Sequence, residues 1–159
     1  MEKGIEKLSR LFYTRGVNVI HLGKGGMMMY SNLADLLVTY NGTCNPFYLF
    51  GNNEIEVQNF IKTYLAQIDK EQVKVKTYYD FIKDVKKQSK NLVSEYLENT
   101  QVFILGGLCE MKDGEIKEAL CQLIDACILE HKQIILISNE GFDIRELREK
   151  NSILLHLDN

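Results

Sequence analysis

Residues 133–138 read QIILIS, an apolar run with no polar alternation. Such a run leaves no face for water and suits a strand covered on both sides, as in a parallel sheet. FYLF at 47–50, VKV at 73–75, QVFIL from 101 and SILLHL at 152–157 give four further strands. Helical spacing fills the intervals. Over 114–130, Ile116, Ala119, Leu120, Leu123, Ile124, Cys127 and Ile128 form one apolar face. Over 55–68, Ile55, Phe60, Ile61, Tyr64, Leu65 and Ile68 do the same, and 27–40 and 77–97 also read as helical, the latter in one or two pieces. Strands alternating with helices predict a parallel sheet with helices on both faces. Five strands are expected, in one three-layer α/β domain over 1–159. Ile5, Leu8, Leu11 and Phe12 predict a helical extension over 1–16, VNVIHL at 17–22 a short extended segment, and 143–150 a short helix.

Composition sets limits on function. The net charge of -3 provides no global attraction for nucleic acid, so such a contact needs a local basic patch. No run approaches the roughly 20 apolar residues of a membrane helix, and MEKGIEKLSR has no signal-peptide core, which predicts a cytoplasmic protein without membrane contact. Cys44, Cys109, Cys121 and Cys127 form no CxxC pair and read as reduced thiols, with no metal site expected. His131 falls at a helix end and His156 alternates with leucines; neither has a nucleophile partner in a known motif. No catalytic residues and no cofactor are expected.

Three stretches remain as candidate sites. In NPFYLFGNNEIEVQNFI, from Asn45, a strand runs through a glycine into a helix, the layout of a phosphate loop at a helix N-terminus. HLGKGGMMMY, from His21, places Lys24 in a glycine turn before a helix; it could hold an anion, or be only a turn before a Met-rich core helix. Lys83, Lys86, Lys87 and Lys90 recur at i, i+3, i+4 and i+7, opposite Phe81, Ile82 and Val85. They are either a nucleic-acid contact or a solvated lysine face.

Taken in order, NPFYLFG, QVFILGGLCEM from Gln101 and EHKQIILISN from Glu130 resemble segments of the DnaA/Hda-like AAA+ core. They match its Walker A strand, its Walker B strand and its fourth strand with the sensor 1 end. DFIKDV and SEYLEN precede the second of them, as in that family, and the likeness covers roughly residues 17–159. It implies a P-loop NTPase sheet in the order 5-1-4-3-2, consistent with right-handed crossovers. It also implies a partner in the replication machinery, and single-stranded DNA contact by the helices that carry Lys86 and Lys87.

Departures from the family pattern concentrate in the chemistry. A working Walker A needs glycines, a lysine for the β/γ oxygens and Ser/Thr for magnesium. Here Gly51 is followed by Asn52 and Asn53, later glycine positions fall on Glu54 and Glu56, and the Lys and Ser/Thr positions on Val57 and Gln58. A carboxylate about 4 Å from a phosphate costs on the order of 4 kcal/mol at an effective dielectric near 20. The two Walker B aspartates correspond to Gly106 and Gly107, and the sensor 1 acid to Asn139. Ending after the fifth strand, the sequence is expected to lack the lid subdomain and the helix-turn-helix domain. The expected function is non-catalytic binding of a replication or DNA-processing partner. The alternatives are a nucleotide-binding protein using Gly51, Asn52 and Asn53 differently, or a single-strand binder.

Overall fold

The computed structural model describes residues 17–22, 27–43, 45–51, 54–87, 90–109, 111–138 and 152–157; up to Asn32 and over 152–157 the description is of backbone alone. The 1–16 extension, Cys44, the Lys24 turn, Asn52, Asn53, Asn139 and the 143–150 helix lie outside these residues.

The chain runs β1 (Val17–Leu22), α1 (Met27–Thr39), β2 (Phe47–Phe50), α2 (Glu54–Leu65), β3 (Val73–Thr77), α3 (Tyr78–Lys86), α4 (Leu92–Leu97), β4 (Val102–Gly106), α5 (Gly114–Leu129), β5 (Gln133–Ser138) and β6 (Ser152–Leu157). A short 3-10 turn at Lys70–Gln72 leads into β3, and the side chain of Asp69 caps it. The 77–97 segment is two helices, because α3 closes at Lys86.

All strand pairs are parallel. The expectation of a five-stranded sheet in the order 5-1-4-3-2 is corrected in strand number: among the described residues the sheet has six strands, ordered β1-β6-β2-β5-β4-β3, with β1 added beside the strand expected as the fifth. Within it, β2-β5-β4-β3 keeps the expected 1-4-3-2 sequence of neighbours. The added strand is VNVIHL, which pairs with β6 from Val17 opposite Ser152 to Leu22 opposite Leu157. Its reading as a merely extended segment ignored the backbone groups that β6 would otherwise leave unpaired at an edge.

The apolar strands are explained by burial on both faces. Phe47, Leu49, Val102, Ile104 and Ile135 point to one side, against Leu33, Ala34 and Leu37 of α1 and Val57, Phe60, Ile61 and Tyr64 of α2. Tyr48, Phe103, Leu105, Ile134 and Leu136 point to the other, against side chains of α3, α4 and α5. Alternate residues therefore feed two cores, and neither phase of the strand can be polar. Among the described residues, no helix is long and apolar enough to cross a membrane.

A polar seam closes the end of the sheet where the strands begin. Asn45, 1% exposed, donates its amide to the carbonyls of Gly42 (3.1 Å) and Lys132 (2.6 Å) and accepts the Ile134 N–H at 2.9 Å. The Gly42 N–H donates to the Gln133 side chain (3.1 Å), and the Tyr64 hydroxyl donates to Asn41 (2.9 Å). His131, expected at a helix end, follows α5 with a left-handed φ of 56°. Its carbonyl lies where a Cβ on Gly42 would have to go, and Gly42 itself has φ of +82°.

Gly42 and Gly107 separate two effects of glycine. Both have positive φ, but a Cβ on Gly107 would meet open space. Gly107→Ala should therefore cost only the left-handed backbone penalty, about 1 kcal/mol. Gly42→Ala adds the collision with the His131 carbonyl and should cost about 2 kcal/mol or more. Urea unfolding of the two variants measures both; equal losses would refute the crowding at Gly42.

Candidate functional site

In a parallel sheet with helices on both faces, ligands bind beyond the carboxyl ends of the strands. Here that rim is made by the ends of β2, β4 and β5. Phe50 pairs with Ser138, so the strands end level. The buried Gly51 gives its N–H to the Ser138 carbonyl (3.2 Å), and the Ser138 hydroxyl donates to the Leu108 carbonyl (2.7 Å). The Leu108 N–H donates to Ile137 (2.9 Å). The loop after β2, the loop after β4 and the end of β5 are thus stitched to one another, and the Gly51 N–H already has a protein acceptor.

Helix α2 begins at Glu54, so Glu54 and Glu56 both lie in its first turn. The helix macrodipole favours carboxylates there by about 0.3–1 kcal/mol each at exposed positions, which is the same attraction a bound anion would use. Val57, at the position the resemblance assigns to lysine, is 5% exposed and packs in the core with Phe60 and Ile61. Gln58 is exposed. The first turn of α2 therefore presents negative charge outward and methyl groups inward, with no lysine or arginine in the helix before Lys62.

At the end of β4, a Cβ on Gly106 would meet nothing within 4 Å, so crowding does not exclude a carboxylate there. Gly107 has φ of +72° and turns the chain so that Leu108 enters the core. Behind this rim the buried Tyr48 phenol is shifted upward, chiefly by desolvation. Cys127 lies on the buried face of α5, where burial pushes its thiol up to about 12. Among the described residues, no group of three His, Cys, Asp or Glu could hold a metal.

The lysines divide among different environments. Lys83 lies 4.5 Å from the centroid of the Tyr79 ring. Lys86 bridges to the opposite helix, bonding Asp113 at 2.7 Å and Glu115 at 2.9 Å. Those hydrogen bonds raise the Lys86 ammonium and, with the Glu115 backbone N–H, lower the Asp113 carboxyl. Lys87 is the C-cap of α3, and Lys90 lies in the connection to α4, so the four do not share one helix face.

Two lysines absent from the sequence reading belong to this surface. Lys74 and Lys76 of β3 lie 5.7 and 5.5 Å from the Tyr96 ring centroid. They line a cleft of about 320 Å³ with Asp84, Lys87, Leu92, Glu95 and Tyr96. Period-2 alternation in VKVK places both lysines on one face of the strand, and that signal was available. The Tyr96 hydroxyl donates to Asp84, which also pairs with Lys76 at 3.4 Å.

These features define a three-layer α/β fold built on one parallel sheet, with helices packed on both faces. No protein-family model matches the sequence, and no curated protein matches it. Among solved structures, the chain is similar to domain III of the Thermotoga maritima replication initiation protein DnaA, with 17% identity and a TM-score of 0.66 over 85% of this chain and 63% of that one. It is also similar to replication initiator DnaA bound to AMPPCP and single-stranded DNA, with 16% identity and a TM-score of 0.62 over 85% of this chain and 47% of that one. A third similar structure is the DnaC helicase loader, with 13% identity and a TM-score of 0.58 over 82% and 87% of the two chains. The chain spans less than two thirds of the two DnaA chains it matches. At these identities the likeness is one of fold.

The Asp84 cluster gives a pH signature. The Tyr96 hydrogen bond, and then Lys76, lower the Asp84 carboxyl from its ordinary 3.8. A lowered folded-state pKa contributes stability above the unfolded value, and that contribution is lost as pH falls through the folded value. Urea midpoints followed from about pH 6 down to about pH 2 should therefore fall more steeply for the native chain than for Asp84→Asn. Parallel curves would show that the cluster contributes nothing.

Proposed function

We propose that this chain is a DnaA-like protein of DNA replication that acts by binding, without hydrolysing nucleotide. The observation that carries the reading is the state of the loop after β2. The Gly51 N–H is bonded to Ser138, Val57 is committed to the core, and Glu54 and Glu56 sit at the helix N-terminus. A triphosphate brought there would meet two carboxylates and lose the donors and the cation that offset its charge. Gly106 and Gly107 supply no carboxylate for magnesium at the end of β4, and γ-phosphate transfer needs a metal bridging the β- and γ-phosphate oxygens.

The fold is shared with DnaA and with a helicase loader, which supports a role in replication. The partner in this reading is a protein of the replication machinery. Single-stranded DNA is a second ligand, favoured by Lys83 on the exposed Tyr79 ring and by the three lysines of the Tyr96 cleft. One DnaA of this fold has been seen with such DNA bound.

Calorimetry with ATP, ADP and AMPPCP in magnesium buffer should give no binding heat, and copurified nucleotide should be absent by mass spectrometry. A micromolar dissociation constant would overturn the reading. For DNA, fluorescence anisotropy with an oligothymidine at low salt should show binding that weakens steeply with salt. Charge reversal at Lys83 and Lys87 together should reduce affinity about tenfold or more, the loss of two phosphate or stacking contacts. Lys86→Glu alone should reduce it less, because that ammonium is already held by Asp113 and Glu115.

A further inference from the structure

Helices α3 and α4 do not close against α5 along their whole length. Between them lies an open groove of about 560 Å³, lined by Val85, Leu92, Val93 and Ala119 below and by Glu115, Glu118 and Gln122 along α5, with Lys90 on the opposite wall. The volume falls within the range of ligand-binding clefts. The apolar groups are at its base and the charged groups at its rim, which suits an amphipathic helix laid in a groove.

The charge pattern indicates the chemistry of the occupant. Glu115, Glu118 and Gln122 stand at i, i+3 and i+7, forming a ridge along α5. The first end of that ridge already holds an ammonium: Asp113 and Glu115 clasp Lys86 of the chain itself. About one helical turn further on, roughly 5 Å, Glu118 carries the same charge, and its hydrogen bond is to the Gln122 amide at 3.4 Å. From this internal precedent we infer that the groove binds a helical segment of a partner protein whose apolar stripe is flanked by lysine or arginine. The stripe covers Val85, Val93 and Ala119, and the basic flank pairs with Glu118. Lys90, on the far wall, repels a second basic flank and so sets which way round the segment lies. The inference rests on the reading of this chain as a binding protein and names the surface and the partner chemistry.

Two synthetic helical peptides of leucine with lysine and of leucine with glutamate, in the same pattern, serve as probes. The Leu/Lys peptide should shift the amide and methyl resonances of Val93 and Ala119, and the Leu/Glu peptide should not. Glu118→Lys should weaken the Leu/Lys peptide about tenfold, the loss of one charge pair with repulsion in its place. Glu71→Lys, the same charge change on the exposed turn before β3, should leave affinity unaltered. Ala119→Arg, which fills the groove, should abolish the shifts, with circular dichroism confirming that both α5 variants fold. Shifts confined to other surfaces, or equal affinity of the native chain and Glu118→Lys, overturn the inference. Either result leaves the non-hydrolytic reading standing, since that fails only on its own nucleotide measurements.

Discussion

The level ends of β2 and β5 depend on one buried amide. Asn45 donates to the carbonyls of Gly42 and Lys132 and accepts from the Ile134 N–H, which locks the start of β2 beside the start of β5. A slip of one residue would turn every strand side chain to the opposite core. It would also leave three hydrogen-bonding positions of a buried side chain unmatched, a cost of about 1–3 kcal/mol for each unsatisfied group. With that register in place, Phe50 falls opposite Ser138 and the Gly51 N–H reaches the Ser138 carbonyl. The state of the loop at one end of the sheet is therefore a consequence of polar chemistry at the other.

At the start of α2 a second constraint acts. A helix N-terminus attracts negative charge whether it comes from a ligand or from the chain. In α2 the chain supplies its own through Glu54 and Glu56, while Val57 joins the core beside Phe60. These residues are locally favourable for folding: first-turn acids suit the dipole and a buried valine adds apolar burial.

Much of this was legible in the amino-acid order, for physical reasons that differ from one element to the next. QIILIS and VFIL announced a sheet covered on both sides because both residue phases are apolar, and the structure shows two separate cores receiving them. Helix α5 was legible from its spaced apolar face. VNVIHL was not counted as a strand, since membership of a sheet edge is decided by the partner, here β6, and not by the run itself. Asn45 was read as part of a motif, but two of its three hydrogen bonds depend on residues almost ninety positions away. The lysine stripe misled in a similar way: period alone cannot locate the end of α3, so Lys90 was placed on a helix that had already closed.

The distribution of those lysines bears on how an acidic chain could meet an anionic partner. With a net charge of -3, the molecule as a whole offers no attraction, so everything rests on where cations are left uncompensated. Lys86 is spent bridging α3 to α5, which removes it from the outward-facing set. Lys74, Lys76 and Lys87 instead converge on the Tyr96 cleft, where Asp84 is paired with Lys76 and takes the tyrosine hydroxyl. Positive charge is therefore concentrated at the edge of the sheet, beside β3, and negative charge along α5.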